Sequence, residues 1–452
     1  MQESISNRIR CGKALRLGLT FLTSGVALLA LPVNAQTTTP ATGIACTSGS
    51  SPNPTFTLEA KPGYIQLPDG NTMYMWGYAN GGGAFQHPGP VLCVNQGDTV
   101  TVILNNTLSE AVSIMFPGQE DVLANGAPAQ PQGDGAGLTS LTNVAPAGSS
   151  VTYGFKASNP GTYIYESGTS PAKQVRMGLF GALVVRPTAG AGFMNNQVNS
   201  PNSSQFTTDV AFYNGGPLVN EEYMVLLSEI DPYQHWAAEG GGAFDLKDYQ
   251  PRYWLINGRG FPDSIADNFS PYLPDQPYGA LARIHPFDAS SHPYPGAIRY
   301  LNVGTEEFPF HPHGNNGQVI GRDGRALEGP GGQDLSFEKF AINLGPGQTW
   351  DVLFQWYDAE HYDETTNPVP VTIPQVNNQE FGMFYSGSPY LGVEGTLPPG
   401  ASTLNECGEY YIISHNHALY QITSWGVNLT GPITYLRVDP PLPNNCPPPP
   451  SL

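Results

Sequence analysis

The sequence predicts an all-β protein made of β-sandwich domains in tandem. Three observations support this prediction: a low charge content, short β-rich runs between turns, and a long internal repeat. Charged residues are 12% of the 452-residue chain, while glycine (53) and proline (44) are abundant. Helix patterns are scarce, and this alternation of short runs with turns is typical of sandwiches.

Six runs are the clearest strand candidates. Each is short, apolar or alternating in polarity, and bounded by residues that favour turns. In chain order they are DTVTVILNN, SVTYGFKA, GALVVRP, AIRYLNV, TWDVLFQW and ITYLRV.

The internal repeat predicts the domain organisation. Residues 106–118 align without gaps on residues 302–314, and two further pairs of segments follow in the same order: 144–155 with 343–354, and 161–168 with 408–417. A repeat unit of this length indicates a duplicated domain rather than a solenoid. We therefore predict an N-terminal domain at residues 50–190, a C-terminal domain at residues 205–440 and a proline-rich tail at residues 441–452.

The N-terminal segment has the pattern of a secretory signal peptide. Basic residues from Arg8 to Arg16 precede the apolar stretch LGLTFLTSGVALLAL, and small residues at Val33 and Ala35 form a cleavage site. The apolar stretch is too short to span a membrane, and the sequence predicts no transmembrane segment. We expect cleavage of residues 1–35 and export to the periplasm or the extracellular space.

The charge of the chain disfavours two classes of partner. Residues 1–35 carry four basic and one acidic side chain, so their removal changes the net charge from −19 to −22. Such an acidic surface disfavours nucleic acid and anionic membranes. It favours cationic partners or simply keeps the protein soluble.

Four cysteines remain after cleavage, and an even number in an exported chain suggests two disulfides. Four cysteines can form two disulfides in three ways, and the sequence does not prove which one is formed. We favour Cys46–Cys93 and Cys407–Cys446, because each would tie a chain end to a predicted strand.

Two short histidine motifs are the main candidate for a functional site. FPFHPHG contains His311 and His313, and YYIISHNHALY contains His415 and His417. Side chains at positions i and i+2 of a strand point to the same face. Because imidazole is a common metal ligand, the two motifs together could form a pocket of four nitrogen ligands.

These motifs and several others resemble those of the multicopper oxidase family. HPGPVLCVNQGDTVTVILNN is similar to the N-terminal signature of that family, and FPFHPHG resembles its HPxHxHG motif. SHNHALYQITSWG lies where the family has HCHIxxHxxxGM, and GTYIYESGTSPAKQVRMGLFGALVV resembles WYHSH…GLxGALIV. The resemblance covers roughly residues 55–440. It implies two cupredoxin-like Greek-key β-sandwich domains in tandem, and copper as cofactor.

The metal ligands of the family are only partly present. The first two histidine pairs of the family fall at Met115-Phe116-Pro117 and Glu166-Ser167-Gly168. The ligands of the mononuclear blue copper fall at non-matching residues: Phe308, Asn416, Gln421 and Gly426. A blue copper site needs a thiolate and two imidazoles. The resemblance therefore implies fewer copper ions than a complete multicopper oxidase holds, and not a standard laccase.

The expected site is one metal between the domains, bound by His311, His313, His415 and His417. Glu166 would add a carboxylate ligand suited to iron, manganese or zinc, and Met115 a thioether suited to copper(I). The alternative is a vestigial site whose imidazoles only form hydrogen bonds.

Two functions follow from these expectations. The first is a copper-dependent oxidoreductase acting on a small reductant or a metal ion, with catalytic residues that the sequence does not identify. The second is a non-catalytic metal-binding protein, or a structural subunit of a homo-oligomer or surface assembly.

Overall fold

The computed structural model describes residues 42–187, 210–211, 218–219, 221–290, 292–313, 316–357 and 410–439. The predicted signal peptide, the proline-rich tail, Cys407 and Cys446 lie outside the described residues. The Cys407–Cys446 pairing therefore stays a prediction.

The first half of the described chain, residues 42–187, forms a sandwich of two sheets, which we call the N-terminal sandwich. Its strands are β1 (Cys46–Ser48), β2 (Thr55–Gln66), β3 (Thr72–Asn80), β4 (Val91–Asn95), β5 (Thr99–Asn106), β6 (Leu123–Ala124), β7 (Ala127–Pro128), β8 (Gln132–Gly133), β9 (Leu138–Ser140), β10 (Ser150–Lys156), β11 (Gly161–Glu166) and β12 (Phe180–Arg186). One sheet has the order β1-β4-β12-β11 and the other β3-β2-β5-β10-β6-β7, while β8 and β9 form a separate ribbon.

The second half forms the C-terminal sandwich, residues 221–439, preceded by the small ribbon of β13 (Val210–Ala211) and β14 (Leu218–Val219). Its strands are β15 (Glu221–Ile230), β16 (Tyr253–Ile256), β17 (Ala282–Ile284), β18 (Gly296–Asn302), β19 (Phe308–Pro312), β20 (Gly317–Arg322), β21 (Arg325–Ala326), β22 (Phe337–Lys339), β23 (Ile342–Leu344), β24 (Thr349–Phe354), β25 (Tyr410–Asn416), β26 (Thr423–Ser424), β27 (Val427–Asn428) and β28 (Ile433–Val438). One sheet has the order β16-β15-β18-β24-β20-β21, with β22 also on β20, and the other β17-β28-β25-β19-β23.

Helices are short in the described part of the chain. They are α1 (Pro171–Gln174), α2 (Pro232–Glu239) and 3₁₀ turns at Leu246–Asp248, Asp263–Ile265 and Leu419–Ile422. Asp231 caps α2, because its carboxylate accepts a hydrogen bond from the Tyr233 N–H at 2.8 Å. None of these helices has the length and apolar character needed to cross a bilayer.

Alternating side chains fill the space between the sheets of each sandwich. In β5, for example, the even-numbered residues from Val100 to Asn106 are buried, while the intervening side chains are more exposed. All six predicted strand runs form strands. The all-β class and the tandem cupredoxin-like sandwiches are confirmed, whereas the exact domain boundaries stay predictions.

The internal repeat is visible in matching hydrogen bonds. The Asn106 side-chain amide donates to the carbonyls of Glu110 and Ala145 at 2.7 and 2.9 Å. At the matching position, the Asn302 amide donates to the carbonyls of Glu306 and Leu344 at 2.8 and 3.0 Å. The same buried contact therefore ties the strand end to a neighbouring loop in both sandwiches.

The two sandwiches share a buried interface with apolar and charged parts. Its apolar part includes Cys93 and Val184 from the N-terminal sandwich and Leu226 and Leu301 from the C-terminal one. Cys93 also forms the predicted disulfide with Cys46.

A buried charged network lies in the same interface. Arg186 of the N-terminal sandwich pairs with Glu222, which also pairs with Arg299 at 2.8 Å. Arg299 donates to the Thr162 hydroxyl at 2.7 Å, and that hydroxyl donates to Asp351 at 2.5 Å. The four charged side chains are at most 3% exposed. Opposite charges therefore compensate one another across the interface, as buried ions require.

Candidate metal centre

The two histidine motifs lie on adjacent strands of one sheet. His311 is in β19 and His415 is in β25, and these two residues are directly opposite in the antiparallel pairing. Phe308 and Phe310 alternate with His311 along β19 and point into the core, where both are fully buried. The period of two therefore directs the phenyl rings inward and leaves the imidazoles on the other face.

The four imidazole rings are neighbours on this face, and their role as ligands of one metal between the domains stays a prediction. The His311 ring centroid lies 4.7, 5.8 and 5.2 Å from those of His313, His415 and His417. His415 lies 5.0 Å from His313 and 5.5 Å from His417. The nearest ring nitrogens in this group are Nε2 of His313 and Nε2 of His415, 3.0 Å apart.

Backbone carbonyls fix the orientation of two of these rings. Nδ1 of His311 lies 3.0 Å from the carbonyl of Phe340, and Nδ1 of His415 lies 2.7 Å from the carbonyl of Asn416. A carbonyl only accepts, so each Nδ1 carries a proton and Nε2 is the nitrogen that could bind a metal. This arrangement is characteristic of metal-binding histidines.

The cluster is open to the outside. His313 and His417 are exposed, and His311 and His415 are half-buried. Burial lowers the pKa of His313 and of His415, and the neighbouring imidazoles lower both further. Both rings are therefore neutral at physiological pH, the form that can bind a metal.

The positions that match the blue copper ligands are occupied by a hydrogen-bonded amide network. The Asn416 side-chain amide donates to the Gln421 side-chain carbonyl, and Gln421 donates to Glu306 at 2.6 Å. Trp254 donates to the same Glu306 carboxylate at 2.8 Å. Asn416 and Gln421 are fully buried. Neither an imidazole nor a thiolate is present here, so these residues do not fit a blue copper ion.

Glu166 lies at the equivalent place in the N-terminal sandwich. Its backbone pairs with that of Met115, just as His415 pairs with His311. Burial raises the pKa of the Glu166 carboxyl. Within the described part of the chain, no hydrogen bond or ring contact joins Glu166 to the four histidines. Its role as a ligand stays a prediction.

A second group of ligand-type residues was not predicted as a site. Glu221, His285 and His292 each offer one ligand atom, and these atoms lie within 4.8 Å of one another. The residues come from separate segments, and their spacing matches no short motif. Glu221 and His285 come together only because the sheet that contains β15 packs near β17 of the other sheet, so the sequence carried no local signal for the group.

Comparisons with known proteins bear on both halves of the chain. A family model described as multicopper oxidase matches residues 59–190. An L-ascorbate oxidase of Cucurbita maxima is 37% identical over 106 residues, which is 23% of this chain and 17% of that protein. A copper-containing nitrite reductase of Neisseria meningitidis is 29% identical over 175 residues, 38% of this chain and 36% of that protein. These alignments thus span well under half of either relative.

The fold is similar over a longer part of the chain. The solved structure of a multicopper oxidase, mgLAC, matches with a TM-score of 0.54 and 18% identity, covering 86% of both chains. At this identity the match concerns the fold alone. A multicopper oxidase family model thus matches residues 59–190, and most of the chain shares its fold with a solved multicopper oxidase.

Proposed function

We propose that this protein is an exported copper-binding oxidoreductase that uses a histidine-rich metal centre and no blue copper. The proposal rests on the convergence of His311, His313, His415 and His417 on one face of a sheet. Imidazole nitrogens suit copper, and relatives of this chain include a copper-containing nitrite reductase. Zinc, iron and manganese are the other ions that such ligands could hold.

The chain's own residues define what this centre could do. A bound copper would supply one-electron redox chemistry. His311 and His415 would hold it through Nε2, because their Nδ1 protons are directed to backbone carbonyls. The exposed His313 and His417 leave the centre accessible to a small reductant or metal ion. Since the blue copper position is filled by amides, a substrate would have to donate electrons at the centre itself.

Metal analysis tests the binding part of the proposal. We expect the purified protein to retain copper after dialysis and the His311→Ala/His415→Ala variant to lose it. His235→Asn is a matched control, because His235 is a buried imidazole bonded to the carbonyls of Tyr74 and Arg176. Equal copper content in all three proteins, or a blue copper absorption band, would contradict the proposal.

Oxygen uptake tests the catalytic part. The copper-loaded protein should consume oxygen with a phenol, Mn(II) or Fe(II), and the double histidine variant should not. Bound copper without turnover would instead favour a second function, a non-catalytic metal-binding or structural protein that could assemble as a homo-oligomer. The amide network at Asn416 and Gln421 is the observation that favours this second function.

Export is supported by two features. The N-terminal segment has the signal-peptide pattern, and Cys46 and Cys93 form a disulfide, a bond that is typical of oxidising compartments. Mass spectrometry of the protein from the exported fraction should find a mature N-terminus near Gln36. An uncleaved chain in the cytoplasm would contradict export.

A further inference from the structure

We propose that Glu221, His285 and His292 form a second metal site, which binds one divalent transition-metal ion such as Zn²⁺. One ligand atom from each residue lies within 4.8 Å of the other two. The three side chains are 2%, 6% and 1% exposed, so the group is closed to solvent. This site is independent of the function proposed for the four-histidine cluster.

Two of the three residues come from different sheets of the C-terminal sandwich. Glu221 begins β15 and lies opposite Gly296, the first residue of β18. His285 directly follows β17. A Cβ atom on Gly296 would lie 3.1 Å from Oε2 of Glu221 and 2.6 Å from Cδ1 of Ile284, so glycine leaves the room that the carboxylate occupies.

A folded loop brings the third residue into place. The Phe287 N–H donates to the Trp356 carbonyl at 2.7 Å, which anchors the loop to the end of β24. Asp288 and His292 then exchange two backbone hydrogen bonds of 3.0 and 2.9 Å, and these turn the chain back. As a result, the His292 ring stacks on that of His285, with centroids 4.6 Å apart and planes at 18°.

The surrounding charges favour a cation beside Glu221. The nearby Asp439 carboxylate, whose Oδ2 is 3.6 Å from Nε2 of His285, is already paired with Arg283 and Arg437, both at 2.6 Å. Glu221, by contrast, pairs with His285 alone among the ion pairs of the described residues.

The ligand set indicates the kind of ion. Two imidazoles and one carboxylate suit zinc and related transition metals, whereas calcium and magnesium prefer oxygen ligands. A buried site of this kind acts structurally, and here it would fasten the loop 285–292 to the start of β15.

This site is separate from the four-histidine cluster. Val438, next to Asp439, pairs with Tyr410, whereas Ile433 pairs with His415 at the other end of the same two strands. Five residues of a strand span about 17 Å. One ion therefore cannot occupy both places.

Zinc binding in the full-length His311→Ala/His415→Ala variant isolates the second site. After removal of metals with EDTA and dialysis against Zn²⁺, we expect one zinc per chain by mass spectrometry and a higher Tm with zinc than without. Adding His292→Ala should abolish both effects, whereas adding His235→Asn should preserve both. Co²⁺ should give the visible absorption bands of a nitrogen- and oxygen-ligated ion, and His292→Ala should remove them.

A second variant distinguishes loss of the metal site from loss of the fold. If His292→Ala fails to fold, Glu221→Gln replaces it, because glutamine keeps the shape of the side chain while removing its charge. The proposal is overturned if the double histidine variant binds no zinc, or if both His292→Ala and Glu221→Gln still bind one equivalent. The zinc experiment uses a variant that lacks two histidines of the four-histidine cluster, so its result does not depend on whether that cluster binds copper. Each of the two proposals can therefore be refuted without the other.

Discussion

The substitution Glu222→Gln tests whether the buried charged network holds the two sandwiches together. Glu222 is 1% exposed and receives hydrogen bonds from Arg186 and, at 2.8 Å, from Arg299. Burial alone would raise the pKa of Glu222, but the two guanidinium groups lower it below its usual value. The side chain is therefore a carboxylate at neutral pH, and glutamine removes its charge with little change in shape.

The expected loss of stability follows from the number of groups that pair with Glu222. Each hydrogen bond to a charged group contributes about 1.5–3 kcal/mol, and removing one member of a buried ion pair costs about 3–5 kcal/mol. Arg299 keeps Asp351 at 3.7 Å after the substitution, whereas Arg186 is left with no carboxylate partner among the described residues. We therefore expect the free energy of unfolding to fall by about 3–5 kcal/mol.

Urea unfolding followed by circular dichroism and tryptophan fluorescence measures this loss. The control is Asp245→Asn, which breaks the exposed pair with Lys247, whose side chains are 56% and 88% exposed. That change should cost under about 1 kcal/mol. If Glu222→Gln lowers the free energy of unfolding no more than Asp245→Asn does, the network does not stabilise the interface and the argument is wrong.

Three further predictions concern stability. Replacing both cysteines of the Cys46–Cys93 disulfide by serine should lower the free energy of unfolding by about 4 kcal/mol, given the 47-residue separation; an equal loss in the reduced wild type would confirm the cause. Gly324→Ala should cost about 1–3 kcal/mol more than Gly148→Ala in urea unfolding. Both glycines have positive φ, but a Cβ at 324 would lie 2.1 Å from a tyrosine ring whereas the other meets nothing within 4 Å. Burial lowers the pKa of His87 in the folded protein to about 3, from its ordinary value of 6.5. As the pH drops from about 6.5 towards 3, the unfolded chain binds a proton that the folded protein does not, so the free energy of unfolding should fall. His87→Phe should reduce that slope, and an unchanged slope would show that the ring is not the cause.

Much of the fold could be predicted because its signals are local. The alternation in β5 and the matched asparagines at 106 and 302 lie within short segments, and the structure confirms both. The shared face of the two histidines within each motif was also predictable, since the period of a strand directs residues i and i+2 to one face.

Contacts between distant segments could not be predicted in the same way. Glu222 reaches Arg186 across the interface, and Glu221 reaches His285 from the other sheet of the C-terminal sandwich. Nothing in the residues next to them signals these partners. From the sequence alone, a carboxylate in a strand is predicted to be exposed. Its burial becomes favourable only when the tertiary structure places a cationic side chain beside it.

The amide network at Asn416, Gln421 and Glu306 also constrains how this protein could change over evolution. Replacing Asn416 by cysteine would remove the amide that donates to Gln421 and would leave that buried carbonyl unsatisfied, at a cost of about 1–3 kcal/mol. Replacing Gln421 by histidine would remove the carbonyl that accepts this hydrogen bond from Asn416. Each single substitution towards a blue copper site would therefore lower stability before all of the ligands were present.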